Sequence, residues 1–112
     1  AAALHEELDR VLAGRPPTYD DLPNLPYTRM CLAEAMRLYP PAYLIDREAK
    51  VDYALDGFVV PKGAIVFTSP YVMQRTARFF PEPERYLPER WTPEETAKRP
   101  RFSYFPFGGG PR

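Results

Sequence analysis

What the sequence lacks narrows the classes of protein to which it can belong. It has a single cysteine, Cys31, so no disulfide framework can form within the chain. Its 15 basic and 15 acidic residues balance to a net charge of zero, which gives no electrostatic reason to expect a nucleic-acid partner. No apolar run approaches the length of a membrane span, and no signal peptide is recognisable. We therefore expect no disulfide scaffold, no nucleic-acid-binding role and no membrane segment in these residues.

The composition indicates a folded chain with unusual ends. A length of 112 residues with 45% hydrophobic side chains is enough for one modest domain with a core. The 15 prolines are spread along the chain instead of forming one low-complexity tract. The chain starts inside a predicted helix and ends straight after three glycines. We therefore expect a segment of a larger domain.

Two helices are predicted in the first third of the chain. Apolar residues recur at helical spacing from Leu4 to Leu12, and Gly14 stands where a helix C-cap belongs. Residues 18–22 are expected to form one turn that Pro23 stops. A second helix is predicted over residues 24–39.

The middle of the chain has the alternation and turn residues of short strands. Asp56-Gly57 is a strong hairpin signal, because a type I′ turn needs positive φ at both central positions. The strands are predicted at residues 43–45, 50–55, 58–60 and 64–69, followed by a short helix at 70–75.

The last third, from Phe79 onward, has little periodicity and contains seven prolines. Its many aromatic residues argue against disorder, because disordered segments are poor in aromatics. One short helix is predicted to start at Thr92, which has the form of a capping box. The remainder is expected to be ordered but irregular.

The helical segment 30–39 carries only two charges, Glu34 and Arg37, among apolar residues. A helix that is apolar on nearly every side is normally buried, and residues three apart lie on one face, where they can pair. Losing one partner of a buried ion pair costs about 3–5 kcal/mol. The spare donors and acceptors of such a pair predict a third charged or backbone partner. The alternative is a solvated surface pair of little energetic weight.

Two further motifs lie in the irregular segment. Residues 86–91 read Tyr-Leu-Pro-Glu-Arg-Trp, which alone is compatible with a structural loop or with Arg90 stacked on exposed Trp91. Residues 105–112 contain three glycines, which let a backbone approach a ligand closely. A phosphate cradle lacks support because the Lys-Ser/Thr ending is absent. A flexible linker is the remaining alternative, and the flanking prolines and aromatics argue against it.

Taken in this order, Glu34-x-x-Arg37, Pro88-Glu89-Arg90-Trp91 and Phe107-Gly-x-Gly-x-Arg112 resemble three consecutive signatures of the cytochrome P450 family. The resemblance extends over essentially all 112 residues and implies an α+β fragment of a mainly α fold. Two main helices and a small antiparallel β region would precede a proline-rich irregular meander that leads into the heme-binding loop. Residues 1–112 would then be a partial domain that is truncated at both ends.

The resemblance also implies roles for individual residues. Glu34 and Arg37 resemble the family's helix pair, Arg90 resembles their third partner, and this structural triad braces the loop that carries the thiolate. The expected cofactor-binding residues are Arg112, Phe107, Gly108 and Gly110, with Arg47 as a second partner of a heme propionate. The expected substrate-lining residues are Ala42, Tyr43 and Leu44.

The sequence departs from the family pattern in three places, of which Tyr86 in place of a common phenylalanine is the mildest. Residues 74–77 read Gln-Arg-Thr-Ala, where the family often has His-Arg-Asp-Pro. The cysteine ligand of the family is expected two residues beyond Arg112, so this chain supplies no metal ligand. Cys31, in the predicted buried helix, is expected to be a small core residue. No side chain here is expected to act as a catalytic acid, base or nucleophile.

The activity implied by the resemblance is that of an oxidoreductase, a monooxygenase that inserts one oxygen atom of O2 into a small, apolar organic substrate. It would use heme b with its iron, and electrons from a redox partner, either a ferredoxin or a flavoprotein reductase. The fragment alone is expected to be inactive. The alternatives are a family member that uses peroxide or catalyses a rearrangement, and a non-catalytic remnant or interaction module. The location in the cell stays open, with the cytoplasm expected for a soluble bacterial member.

Overall fold

The computed structural model describes residues 1–110, which form an α+β arrangement of short elements. The α-helices are α1 (Ala2–Leu12), α2 (Pro26–Leu38), α3 (Pro70–Met73) and α4 (Pro93–Ala97). The strands are β1 (Ile45–Glu48), β2 (Tyr53–Leu55), β3 (Phe58–Val60) and β4 (Ile65–Thr68), and 3₁₀ helices cover Tyr19–Asn24 and Pro88–Trp91. The predicted fold class is confirmed. Within residues 1–110, no helix is both long and apolar enough to cross a membrane.

Helix α1 is followed by two successive residues with positive φ. Ala13 has φ 49° and its amide still donates to the carbonyl of Asp9, so Ala13 is the C-cap and not Gly14 as predicted. Gly14 follows with φ 82°. The first 3₁₀ helix then continues through Pro23 to Asn24, so the predicted stop at Pro23 is also wrong.

Helix α2 begins at Pro26, two residues after the predicted start, and its N-cap residue, Leu25, has no side-chain acceptor. Glu7 of α1, about 20 residues earlier in the sequence, supplies the acceptor for the N-terminus of α2 instead. Its carboxylate accepts from the amides of Tyr27 at 2.8 Å and Thr28 at 2.7 Å, and from the Thr28 hydroxyl at 2.8 Å. Because the first four amides of a helix lack intrahelical acceptors, Glu7 both caps α2 and fixes α1 against it.

The β region consists of two separate antiparallel pairs, β1 with β4 and β2 with β3. The turn between β2 and β3 has φ 46° at Asp56 and 83° at Gly57, as the hairpin prediction requires. The first strand lies at Ile45–Glu48 and not at residues 43–45, because its pairing begins at Ile45 opposite Thr68. Most side chains of the four strands are exposed.

The interior is small and largely polar, which differs from the expected apolar core. The buried hydrophobic residues among those described are Leu12, Leu25, Leu38 and Phe80. The predicted helical segment 30–39 is not buried on nearly every side, since Leu32 of α2 is 59% exposed and Tyr39, which follows the helix, is 76% exposed. The described residues extend over 57 × 29 × 21 Å, and an extended shape offers little depth in which to bury apolar side chains.

The C-terminal third is more regular than predicted at one point. Pro88–Trp91 forms a 3₁₀ helix in the segment that was expected to be irregular. The predicted helix after Thr92 is confirmed as α4, and the Thr92 hydroxyl accepts from the amide of Glu95. The short helix predicted at 70–75 ends earlier, at Met73.

The Glu7 cap predicts a measurable change in stability. Burial raises the pKa of Glu7, but the hydrogen bonds from Thr28 and Tyr27 outweigh burial and leave the pKa below its ordinary value of 4.5. The cap therefore stabilises fully above pH 4.5, and its contribution is lost as the pH falls through the lowered pKa. We expect Glu7→Gln to lower the free energy of unfolding by about 1–3 kcal/mol at pH 7. Urea unfolding of the wild type and of Glu7→Gln, at pH 7 and under acid conditions, measures this difference in the free energy of unfolding. We expect the difference to shrink in acid, and a difference that does not change with pH contradicts this account.

Candidate functional site

Glu34 and Arg37 form a two-pronged ion pair on the inner face of α2. Arg37 Nε donates to Glu34 Oε2 and Arg37 Nη2 donates to Glu34 Oε1, both at 2.9 Å. Both side chains are 0% exposed. Two parallel N–H···O bonds make this the strongest geometry available to an arginine and a carboxylate. Of the two alternatives for Glu34 and Arg37, a buried ion pair and a solvated surface pair, the structure has the buried ion pair.

The Glu34 carboxylate also holds the proline-rich segment. The amide of Leu87 donates to Oε1 at 3.0 Å, and the indole Nε1 of Trp91 donates to Oε2 at 2.9 Å. Leu87 immediately precedes the 3₁₀ helix Pro88–Trp91 and Trp91 is its last residue, so both ends of this turn are tied to one carboxylate. A segment without periodicity thus obtains a fixed position from Glu34.

The Arg37 guanidinium reaches two more backbone carbonyls. Nη1 donates to the carbonyl of Gln74 at 2.9 Å, and Nη2 donates to the carbonyl of Arg85 at 3.2 Å. The Phe80 ring lies against the guanidinium, with 5.2 Å between the ring centroid and the arginine carbon. Arg37 therefore links α2 to the end of α3 and to the chain that precedes the 3₁₀ helix.

The protonation state of Glu34 follows from these contacts. Burial raises its pKa, but hydrogen bonds from Arg37, Leu87 and Trp91 outweigh burial and hold the pKa below its ordinary value of 4.5. The carboxylate is therefore ionised at neutral pH and acts as an acceptor only.

Arg90, the third partner implied by the resemblance, lies beside the pair. Its Nε is 3.3 Å from Glu34 Oε1, and its side chain is only 10% exposed. Among the described residues, Nε has no hydrogen-bond acceptor in good geometry, while Nη2 donates to the carbonyl of Glu82 at 2.8 Å. Arg90 thus adds positive charge beside Glu34. Beyond the two bonds from Arg37, Glu34 accepts hydrogen bonds from the Leu87 amide, a backbone partner of the predicted kind, and from the Trp91 indole, a role that sequence reasoning did not identify.

Aromatic rings surround the polar cluster. Trp91 packs against Tyr104 with ring centroids 4.4 Å apart, and Arg99, not Arg90, stacks on Trp91 at 4.6 Å. Burial, with the charge of Glu34 nearby, raises the pKa of Tyr104 to about 12. Trp91 is therefore not an exposed partner of Arg90, as the alternative interpretation of residues 86–91 would have it.

An open cavity of about 740 Å³ has Phe105 among its lining residues. Its walls come from β1, β4, α3 and the segment that leads into the glycines, and they are mostly apolar. The predicted residues Arg47, Gly108 and Gly110 line this cavity, with Ile45, Phe67, Met73 and Phe105 among the apolar wall residues. This volume is typical of small-molecule sites.

The glycines let the backbone pass close to this wall. Gly108 has φ 86°, and a Cβ there would lie 3.2 Å from Cδ1 of Ile45. A Cβ at Gly109 would lie 2.8 Å from the Phe102 ring, so the ring would have to move. The absence of side chains at Gly108 and Gly109 therefore lets the backbone run close to Ile45 and Phe102 at the cavity wall.

Other predicted site residues do not line the cavity. Phe107 is 67% exposed. Tyr43 and Leu44 are exposed as well, and Ala42 instead donates its amide to the carbonyl of Pro106 at 3.3 Å. The predicted role of Arg112 lies outside the described residues. Cys31 is half-buried rather than part of a core, and its carbonyl accepts from the Tyr86 hydroxyl at 2.8 Å.

Comparison with known proteins relates this arrangement to one family. The family model described as cytochrome P450 matches residues 1–112. Cyclooctatin synthase of Streptomyces melanosporofaciens is 47% identical over 111 residues, which are 99% of this chain and 24% of that protein. Cyclooctat-9-en-7-ol 5-monooxygenase of the same organism is 39% identical over 96% of this chain and 23% of that protein. Pentalenene oxygenase of Streptomyces avermitilis is 40% identical over 99% of this chain and 25% of that protein. The chain spans about a quarter of the length of these relatives.

The buried pair predicts a contrast between two arginines with the same spacing to a glutamate. Arg37→Met should lower the free energy of unfolding by about 3–5 kcal/mol, because Glu34 would be left charged and buried. Arg37→Lys should lower it less, since lysine keeps the charge but lacks the planar fork. Arg85→Met is the matched control, because the Arg85–Glu82 pair is also three residues apart but exposed. Urea unfolding that gives equal losses for Arg37→Met and Arg85→Met contradicts the buried-pair account.

Proposed function

The chain belongs to the cytochrome P450 family, and from this premise we propose that the full-length protein is a heme-dependent monooxygenase. It inserts one oxygen atom of O2 into an apolar organic substrate, and residues 1–112 form part of its cytochrome P450 domain. The observation that supports this most is the apolar cavity beside the glycine turn. The wall of this cavity also includes Arg47, which supplies a positive charge.

The residues of the cavity fit heme b. A flat, mostly apolar macrocycle suits walls made by Ile45, Phe67 and Met73. Its carboxylates call for a cation at the margin, and Arg47, an exposed residue of β1, carries one. Gly108 lets the loop backbone pass close to the Ile45 wall, where a Cβ would lie 3.2 Å from Ile45 Cδ1. Arg47 would therefore bind a propionate by a charge-assisted hydrogen bond.

When bound through a cysteine thiolate, heme supplies the activation of dioxygen at its iron. The side chains of this chain supply binding, orientation and exclusion of water. Glu34, Arg37 and Arg90 brace the segment that leads to the glycine loop. The apolar wall keeps water away from one side of the cavity.

Four further assignments extend this proposal along the loop. Phe107, Gly108 and Gly110 would begin the heme-binding loop, with the Phe107 ring shielding the sulfur once the rest of the loop is in place. Arg112 would pair with a propionate. The ligand cysteine is proposed two residues after Arg112, so reading two further residues of the coding sequence is the cheapest check of this assignment.

The substrate is proposed to be apolar and to lie near Ala42, Tyr43 and Leu44. These residues lie four to six positions after the end of α2, and the Ala42 amide donates to the carbonyl of Pro106, next to the glycine loop. The names of two relatives point to pentalenene and cyclooctat-9-en-7-ol as the first compounds to try. Electrons would come from a ferredoxin or a flavoprotein reductase.

The test uses the full-length protein loaded with heme, a surrogate ferredoxin with its reductase, and ¹⁸O₂. We expect a thiolate-type spectrum of the ferrous–CO complex, and a product of either compound that carries one ¹⁸O atom. Product mass and label position follow from mass spectrometry.

Other outcomes of the same experiment contradict the proposal in distinguishable ways. Labelled product formed only from H₂¹⁸O₂ identifies a peroxide-using enzyme. An isomeric product without label identifies a rearrangement. Absence of the thiolate-type spectrum identifies a non-catalytic remnant or interaction module.

A further inference from the structure

Gln74 is a fully buried polar residue, and it is the first residue of the segment 74–77, where the sequence departs from the family pattern. It follows α3 directly, is 0% exposed, and is one of the largest side chains with no exposure. A buried amide costs free energy unless its donors and acceptor are satisfied. The side chain therefore needs partners on more than one side.

The partners of Gln74 come from two segments far apart in sequence. Its Nε2 donates to the carbonyls of Met36 and Arg37, both at 3.1 Å, and its Oε1 accepts from the amide of Phe105 at 2.9 Å. Only one orientation of the amide satisfies these partners, because carbonyls require the NH2 and an N–H requires the oxygen. Both side-chain donors are used.

On the α2 side, Gln74 caps the helix. Met36 and Arg37 lie in the last turn, where carbonyls lack intrahelical donors. The backbone carbonyl of Gln74 in turn accepts from Arg37 Nη1 at 2.9 Å. Gln74 is thus joined to the Arg37 residue both through its side chain and through its backbone.

On the other side, Gln74 holds the entry to the glycine loop. The Phe105 amide is bound by Gln74, and the Phe105 carbonyl accepts from the amide of Gly108 at 2.9 Å. Phe105 and Gly108 both line the cavity. One amide side chain therefore sets the distance between the last turn of α2 and the turn that opens the loop.

We propose that Gln74 is a positioning residue for the metal ligand, acting through Phe105 and the turn to Gly108. The inference rests on the proposed heme-dependent function, since the loop matters to activity only if it carries the thiolate. Glu34 and Arg37 hold the proline-rich segment against α2, and Gln74 holds the start of the glycine loop against the last turn of α2. Loss of its bridge lets the loop drift relative to the cavity and weakens thiolate ligation.

Two substitutions in the full-length, heme-loaded protein test the bridge. Gln74→Met keeps the length and volume but removes the hydrogen bonds. Gln74→Asn keeps the amide but is one methylene shorter, so it reaches only one of the two segments. Glu7→Gln is the matched control, since Glu7 is a buried residue with three hydrogen bonds between α1 and α2 and no contact with the loop.

The readouts are the fraction of the ferrous–CO complex with a thiolate-type spectrum and the rate of heme transfer to excess apomyoglobin. We expect the rate of heme transfer to rise about 10- to 100-fold in Gln74→Met, as for other residues that orient metal ligands. The fraction of the ferrous–CO complex with a thiolate-type spectrum should fall, because more of the cysteine is protonated to the thiol. Gln74→Asn should change each readout in the same direction as Gln74→Met, and Glu7→Gln should match the wild type.

The inference is overturned if Gln74→Met and Gln74→Asn both match Glu7→Gln. If Gln74→Met yields no folded protein, Gln74→Asn decides. A wild-type protein without a thiolate-type spectrum overturns the proposed function itself. A wild-type protein with that spectrum and unaffected Gln74 variants overturns the positioning role alone.

Discussion

Two opposite charges, Glu34 and Arg37, lie side by side on α2 without exposure to solvent, and neither could remain there without partners. Their partners come from the segments that follow the β region: the amide of Leu87, the indole of Trp91, and the carbonyls of Gln74 and Arg85. Because each unsatisfied group would carry a desolvation cost, the pair dictates which segments meet at α2. A buried ion pair is weak evidence for net stability, and its effect here is to specify the arrangement.

This polar centre explains how a chain with few buried apolar side chains holds an irregular segment in place. The stretch from Pro81 to Pro88 offers no repeating pattern of backbone hydrogen bonds, and its prolines cannot donate any. Glu34 and Arg37 supply partners from α2, since Glu34 accepts from the Leu87 amide and Arg37 donates to the Arg85 carbonyl. The glycine loop is reached through Phe105, so the cavity wall and the ion pair belong to one connected network.

Local signals in the sequence predicted several elements well. Asp56-Gly57 specified the hairpin turn and Thr92 the start of α4, because both act through neighbouring backbone atoms. The pairing of Glu34 with Arg37 could be expected from their spacing. Glu7, Gln74 and Trp91 could not, because each binds a segment 20 or more residues away and no periodicity encodes such contacts. The expected burial of residues 30–39 was wrong at Leu32 and Tyr39, because an apolar pattern does not say whether other parts of the chain cover that surface.

The central claim is that the Glu34 carboxylate fixes the proline-rich segment, and hydrogen exchange tests it most directly. In the wild type, the Leu87 amide and the Trp91 indole N–H should be strongly protected by NMR, whereas Glu34→Gln should sharply reduce the protection of both. The amides of β3 serve as an internal reference, because that hairpin does not contact the pair. If the Leu87 and Trp91 protons keep their protection in Glu34→Gln, the carboxylate is not what holds this segment.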